Sequence, residues 1–235
     1  MDLIGGEIIG VDKPLGWTSF DAVKRLRGAI QRRLGVKKFK VGHAGTLDPL
    51  ATGVLIICTG RATREIERLQ NGSKEYIADI RLGATTPSFD LETEVDAIFP
   101  WDHITVEKIE EVLPRFTGRV MQVPPVFSAV KIDGKRAYKF ARKGEEVELK
   151  AKPLEISVLE LLSYEAPLLR VRVVCSKGTY IRALARDIGT ALGSGAHLVG
   201  LRRTRVGEIT AEDCLTIDQA MEKIKNDPLE FPDSD

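Results

Sequence analysis

Along the chain, apolar positions recur first with a helical period. Val23, Leu26, Ile30 and Leu34 fall three or four residues apart. Thr18-Ser19-Phe20-Asp21, just ahead of them, has the spacing of a capping box. Gly35 follows where a left-handed closing residue belongs, so the pattern predicts one helix with Lys24, Arg25, Arg32 and Arg33 on its polar side. Residues 42–53 are punctuated by glycine and proline, and a short apolar run, Val54 to Cys58, comes next. Over 75–83 the pattern alternates. Tyr76, Ala78, Ile80 and Leu82 share one face and Glu75, Asp79 and Arg81 the other, as in a strand with one buried side. A second helical repeat, through Val106, Ile109, Val112, Leu113 and Phe116, starts at Thr105.

Val126 to Ile132 reads as a strand, Asp133-Gly134 as a tight turn, and Ala137, Phe140 and Ala141 as a short helix ending at Gly144. Strands over 154–163 and 168–176 flank Tyr164-Glu165-Ala166-Pro167. A helix over 179–192, a basic strand over 198–209 and a short helix near 216–225 complete the series. Hairpins mixed with helices, without regular βαβ alternation, predict an α+β domain: a mixed, largely antiparallel sheet with flanking helices. The expected organisation is one catalytic domain over 1–225 and an acidic, frayed tail over 226–235.

Composition narrows the class. Of 235 residues, 43% are hydrophobic and 29% charged, which excludes a largely disordered or collagen-like chain. The net charge of +1 first argues against a nucleic-acid partner. The charge is segregated, however. Residues 1–40 carry a net +5 and 170–206 a net +7, against −6 over 86–115 and −7 over 207–235. Two basic segments brought together would follow a phosphate backbone; the alternative is a set of solvated helix faces. Cys58, Cys175 and Cys214 are scattered and read as free thiols in a reducing compartment. His43, His103 and His197 are equally dispersed, so no metal is expected. The apolar run 54–58 is far too short to span a bilayer, and the N-terminus has no signal-peptide pattern, so a cytoplasmic protein without membrane attachment is expected.

Two segments could carry chemistry. In Gly42 to Gly53, three glycines permit close backbone approaches, and Pro49 restricts Asp48 to extended geometry. A functional carboxylate and the N-cap of a short helix both fit this pattern. In Cys175 to Asp187, Lys177-Gly178-Thr179 leads into a helix start that favours anions, with Arg182 and Arg186 one turn apart. Phosphate contact and pairing with nearby acids both remain open there. Tyr76 fits a core aromatic and His43 a hydrogen-bonded loop residue.

These residues resemble a known family. Asp12-Lys13-Pro14-x-Gly16-x-Thr18-Ser19, then Gly42-His43-x-Gly45-Thr46-Leu47-Asp48-Pro49-x-Ala51-Thr52-Gly53, look like the TruB-type tRNA pseudouridine synthases. So do Lys74-Glu75-Tyr76, Val123-Pro124-Pro125-x-Phe127-Ser128-Ala129 and Cys175-x-Lys177-Gly178-Thr179-Tyr180-Ile181-Arg182. Gly195-Ala196-His197-Leu198 and Leu201-Arg202-Arg203 continue the likeness in family order to about residue 210.

The resemblance implies the pseudouridine synthase fold with a central RNA-binding cleft, and isomerisation of uridine 55 in the TΨC arm of tRNA. It implies no metal, nucleotide or redox cofactor, and a base flipped out of the RNA into a pocket. Asp48 would be the nucleophile, with ribose C1′ and uracil C6 as its two possible targets. Arg182 would pair with Asp48; Tyr76 would stack on the flipped base and help remove a proton. Tyr180 and Leu201 would line the uracil pocket, His43 would fill space left in the RNA, and Lys13 would meet phosphates. A monomer is expected. Two departures stand out: Arg64 replaces a frequent Lys, and fewer than thirty residues follow Ile209, too few for the C-terminal PUA-type RNA-binding domain of many relatives. The rival readings are a guide-RNA-dependent synthase of the related branch and a non-catalytic tRNA-folding module.

Overall fold

In the computed structural model, which describes residues 1–128, 131–132, 135–137 and 149–229, the chain opens with strand β1 (Ile8–Lys13) and helix α1 (Ser19–Leu34). Thr18 and Asp21 form the predicted capping box, and Gly35 closes the helix at φ 67°. Strands β2 (Val41–His43) and β3 (Ala51–Thr59) follow, then a 3₁₀ segment Gly60–Glu65 that runs into helix α2 (Ile66–Asn71). Strand β4 (Lys74–Leu82) buries Tyr76, Ala78, Ile80 and Leu82, the alternation read from the sequence. The acidic connection after it is not featureless: β5 (Ala84–Thr85) pairs with β6 (Ala97–Ile98). Helix α3 (Val106–Val112) is shorter than its repeat, and Leu113–Phe116 tighten into a 3₁₀ turn. Pro114 has no N–H to continue the ladder.

Strand β7 (Gly118–Gln122) precedes the position where the pattern placed a strand. Pro124-Pro125 cannot donate ladder bonds, which explains why 123–128 are not extended pairing partners. The hairpin β8 (Lys131–Ile132) and β9 (Lys135–Arg136) is present. Its turn at 133–134 and the predicted helix beyond Ala137 lie outside the described residues, as does the tail from 230. Then come β10 (Lys152–Glu165), β11 (Leu168–Cys175), α4 (Ile181–Ala191), β12 (Ala196–Val206), β13 (Ile209–Thr210), β14 (Leu215–Thr216) and α5 (Ile217–Asn226). The result is a mixed α+β fold with a large, mostly antiparallel sheet, as the pattern predicts. Among the described residues no helix is long and apolar enough to cross a membrane.

Contacts divide the chain into two units, Met1–Tyr76 with Arg202–Asp235, and Ile77–Leu201. In the first, β3 is antiparallel to β1, and β1 is parallel to β14. β3 is apolar at consecutive positions because both its faces are covered. Leu55 and Ile57 pack with Val11, Leu26, Ile30 and Ile224 under α1 and α5, while Val54, Ile56 and Cys58 pack with Val206, Ile66 and Leu69. In the second, β10 is antiparallel to both β7 and β11, and α4 buries Ile181, Leu184, Ala185 and Ile188.

Candidate active site

Asp48 sits at the tip of the loop that joins β2 to β3. The loop does not start a helix. The Ala51 N–H donates to the Asp48 carbonyl at 3.0 Å, so Asp48-Pro49-Leu50-Ala51 is a β-turn with proline at its second place, where fixed φ suits it. Both neighbours of Asp48 are gripped by residues 16–19, the turn after β1 and the first residue of α1. The Ser19 hydroxyl accepts from the Leu47 N–H at 2.8 Å and donates to the Leu47 carbonyl at 3.0 Å. The Gly16 N–H donates to the Pro49 carbonyl at 2.8 Å.

Two buried cations brace this arrangement. Lys13 has no solvent exposure, and its Nζ donates to the carbonyls of Pro14 and Trp17 at 2.9 and 2.7 Å, fixing the gripping segment. Burial pulls its ammonium down to about 8, against the opposing attraction of Asp48. Arg203, 1% exposed, holds both feet of the Asp48 loop. It donates to Gly45 O and Thr46 O at 3.3 and 3.1 Å on one side and to Val54 O at 2.7 Å on the other. Gly53 makes that possible: with φ 105°, any Cβ there would stand 2.1 Å from the Arg203 carbonyl oxygen. A guanidinium this deep costs several kcal/mol to desolvate, so it is stable only while all three carbonyls are in place. The clamp and the loop conformation therefore specify each other.

A cavity of about 650 Å³ opens beside the same segment, walled in part by Pro14, Trp17, Arg25 and Thr52. Asp12 and Arg202 also line it, joined to each other by two bonds of 2.8 and 3.1 Å.

In the second unit the first turn of α4 carries Arg182. Its guanidinium faces Asp90 at 3.5 Å and donates to Ser88 O at 3.2 Å and Phe127 O at 3.0 Å. Asp90 is delivered by a tight turn in which Thr86 and Ser88 hydroxyls both donate to the Asp90 carbonyl. Phe89 in that turn takes a left-handed φ of 62°, a strained choice for an aromatic residue, and its ring lies 4.7 Å beneath the Arg186 guanidinium. Just ahead of the helix, Gln122 holds the backbone of Tyr180, the residue before the first helical turn. The Tyr180 N–H donates to Gln122 Oε1 at 2.9 Å, and Gln122 Nε2 donates back to Tyr180 O.

The other sequence-predicted residues distribute between the units. Asp48, Lys13, His43 and Tyr76 belong to the first; Arg182, Tyr180 and Leu201 belong to the second. Tyr76 is buried on β4, while Tyr180 and Leu201 are half-buried. His43, half-buried at the end of β2, is held below the ordinary imidazole range by burial and, behind that, by the Arg203 charge. Lys74 donates to the carbonyls of Gln70 and Gly72, closing α2, and Arg64 is exposed. Pattern reasoning missed Ser19, Asp90 and Arg203 as functional candidates. Asp90 lay in a stretch read only as acidic connection.

The basic segment 170–206 also looks different in three dimensions. Arg170 pairs with Asp79, Arg172 with Glu160, Arg186 with Asp187, Arg202 with Asp12 and Arg205 with Glu75. Much of that positive charge is engaged internally. The exposed basic face is on α1 and just after it: Lys24, Arg25, Arg32, Arg33, Lys37, Lys38 and Lys40. The cysteines are free, and burial pushes the Cys58 thiol up to about 11.

Residues 31–181 match the family model of the TruB family pseudouridylate synthase N-terminal domain, and 182–229 that of the tRNA pseudouridylate synthase B C-terminal domain. The tRNA pseudouridine synthase B of Parabacteroides distasonis is 65% identical over 216 residues, 92% of this chain and 92% of that protein. That of Phocaeicola vulgatus is 63% identical over 98% of each chain. Among solved structures, a chain of a Cbf5–Nop10–Gar1 complex superposes with a TM-score of 0.71 at 31% identity over 98% of this chain. An archaeal box H/ACA Nop10–Cbf5 complex gives 0.66 at 29% over 94%. This chain spans 58% and 54% of those two solved chains.

Proposed function

Because this chain belongs to the TruB family of pseudouridylate synthases, we propose that it isomerises one uridine of tRNA, position 55 of the TΨC loop, to pseudouridine with Asp48 as nucleophile. One observation carries the reading. Asp48 is the residue whose two neighbours, Leu47 and Pro49, are each locked by hydrogen bonds from 16–19, in a loop clamped by a buried guanidinium. Such investment in one carboxylate fits a group that must meet a reacting atom in a fixed direction.

The reaction breaks the N1–C1′ bond of uridine and forms C5–C1′; C5 gives up its proton and N1 gains one. The carboxylate adds either to C1′, holding the ribose while the detached uracil turns, or to C6, holding the uracil ring while it turns, and is released unchanged. The target base leaves the folded arm to reach it. Following the family likeness, Arg182 orients Asp48, Tyr76 stacks on the base and assists loss of the C5 proton, and Tyr180 and Leu201 line the uracil pocket. His43, neutral at pH 7, occupies space in the RNA. Lys13 is assigned to the RNA-facing region, although its Nζ is turned to backbone carbonyls, and phosphates are met by the exposed basic face of α1. The catalytic domain is 1–225, acting as a monomer in the cytoplasm and without a cofactor.

The similarity to Cbf5 chains favours a second reading, modification directed by a guide RNA. The higher identity to tRNA pseudouridine synthase B proteins weighs for the stand-alone enzyme. The purified chain, incubated with an unmodified tRNA transcript and no guide, should release tritium from C5-labelled uridine, with one modified site in the TΨC loop. Absence of turnover until a guide RNA is added would favour the second reading.

A further inference from the structure

Ser19 is the first residue of α1, 3% exposed, and its place is fixed by the capping box one residue earlier. Its hydroxyl closes on both polar groups of a single residue, Leu47, which is itself 3% exposed and adjoins Asp48. Among the described hydrogen bonds the Leu47 N–H has no other partner. A buried amide in that position must find an acceptor or turn elsewhere. Removing the hydroxyl therefore frees the Leu47 peptide to rotate, and rotation there swings the next residue.

We propose that Ser19 is a positioning residue for the isomerisation: its hydroxyl sets the direction in which the loop presents the Asp48 carboxylate. The inference rests on Asp48 being the reacting group. It assigns Ser19 no contact with RNA. Loss of the hydroxyl therefore slows the chemical step while leaving RNA affinity in place. A merely structural serine would do the reverse of one of these.

The test measures single-turnover pseudouridine formation on a tRNA transcript, RNA affinity and melting temperature for wild type, Ser19→Ala, Ser19→Cys and Asp48→Asn. Ala220→Gly, a buried position on α5, serves as the comparison for lost stability. Ser19→Ala is expected to slow turnover by about 10- to 100-fold with affinity nearly unchanged, the scale on which small misplacements act. Ser19→Cys, similar in volume with a weaker donor, should fall between Ala and wild type, and keeps the test available if the alanine variant does not fold. Ala220→Gly should lose melting temperature without losing rate. Turnover of both Ser19 variants at the wild-type rate overturns the proposal, as does a rate loss matched by an equal loss of affinity. Activity in Asp48→Asn would overturn the nucleophile assignment and this inference with it. An inactive Asp48→Asn beside fully active Ser19 variants overturns this inference alone.

Discussion

Arg182 Nε and Asp90 Oδ2 lie 3.5 Å apart, with side chains 7% and 8% exposed. A buried pair of this kind is weak evidence of stability, but breaking it strands a charge. Asp90→Ala removes the carboxylate beside the Arg182 guanidinium, which also donates to the Ser88 and Phe127 carbonyls. The expected loss is about 3 kcal/mol of unfolding free energy, read by urea denaturation. Turnover should fall further than RNA affinity, because the arginine is displaced and not removed. A variant with wild-type stability would show that the carboxylate carries no share of the arginine's compensation.

Lys13 predicts a pH dependence. Its ordinary value of 10.5 is lowered to about 8 by burial. The folded protein therefore sheds this proton before the unfolded chain does. Between pH 8 and 10.5 the unfolded state binds more protons, so Lys13 contributes stability that rises with pH across that window, by ~3 kcal/mol in all. The charged form, dominant below about 8, faces Asp48. Turnover should accordingly decline above pH about 8 while the contribution of this residue to stability increases. Melting temperatures of wild type and Lys13→Met across that range isolate the contribution, which the methionine variant should lack.

Gly53 is required by a close approach, not by flexibility. At φ 105° and 2.1 Å from the Arg203 carbonyl, an added Cβ must push β3 and Arg203 apart. Gly53→Ala should cost about 3 kcal/mol or more, from backbone strain together with the clash. It should also loosen the Gly45 and Thr46 carbonyls from the guanidinium, seen as faster amide hydrogen exchange over 44–50. An unchanged exchange pattern would contradict the clamp.

The helical period of α1, its capping box and the alternation of β4 were legible because each is a local property of consecutive residues. β7 was not: Gly118-Arg119-Val120-Met121-Gln122 pairs with β10 without a regular apolar alternation of its own. The Asp48 loop stood out by composition, but what holds it could not be read locally. Ser19 reaches Leu47 across 28 positions and Arg203 reaches Thr46 across 157. Asp90 was hidden differently, because an acid among acids has no distinguishing pattern until its turn aims it at Arg182. Charge counting overstated the basic segment 170–206, since a net count cannot see that several of its arginines are paired with carboxylates in the fold.

That distinction predicts an uneven salt response. Arg25 is exposed on α1, whereas Arg170 is bonded twice to Asp79 at 2.6 and 3.1 Å. If α1 meets phosphates, Arg25→Ala lowers the slope of log affinity against log salt by about 1, and Arg170→Ala leaves it nearly unchanged. Titration of a fluorescent T-arm stem-loop at several salt concentrations measures both. Equal slopes for wild type and Arg25→Ala would remove α1 from the interface.

The most direct measurement compares wild type and Asp48→Asn on the same tRNA transcript, with pseudouridine mapped at nucleotide resolution and binding measured in parallel. The asparagine keeps the size of the side chain and removes its charge and nucleophilicity. Wild type should give one modified uridine in the TΨC loop and Asp48→Asn none, with comparable affinity for both. Modification by Asp48→Asn at a rate near wild type would contradict the nucleophile assignment.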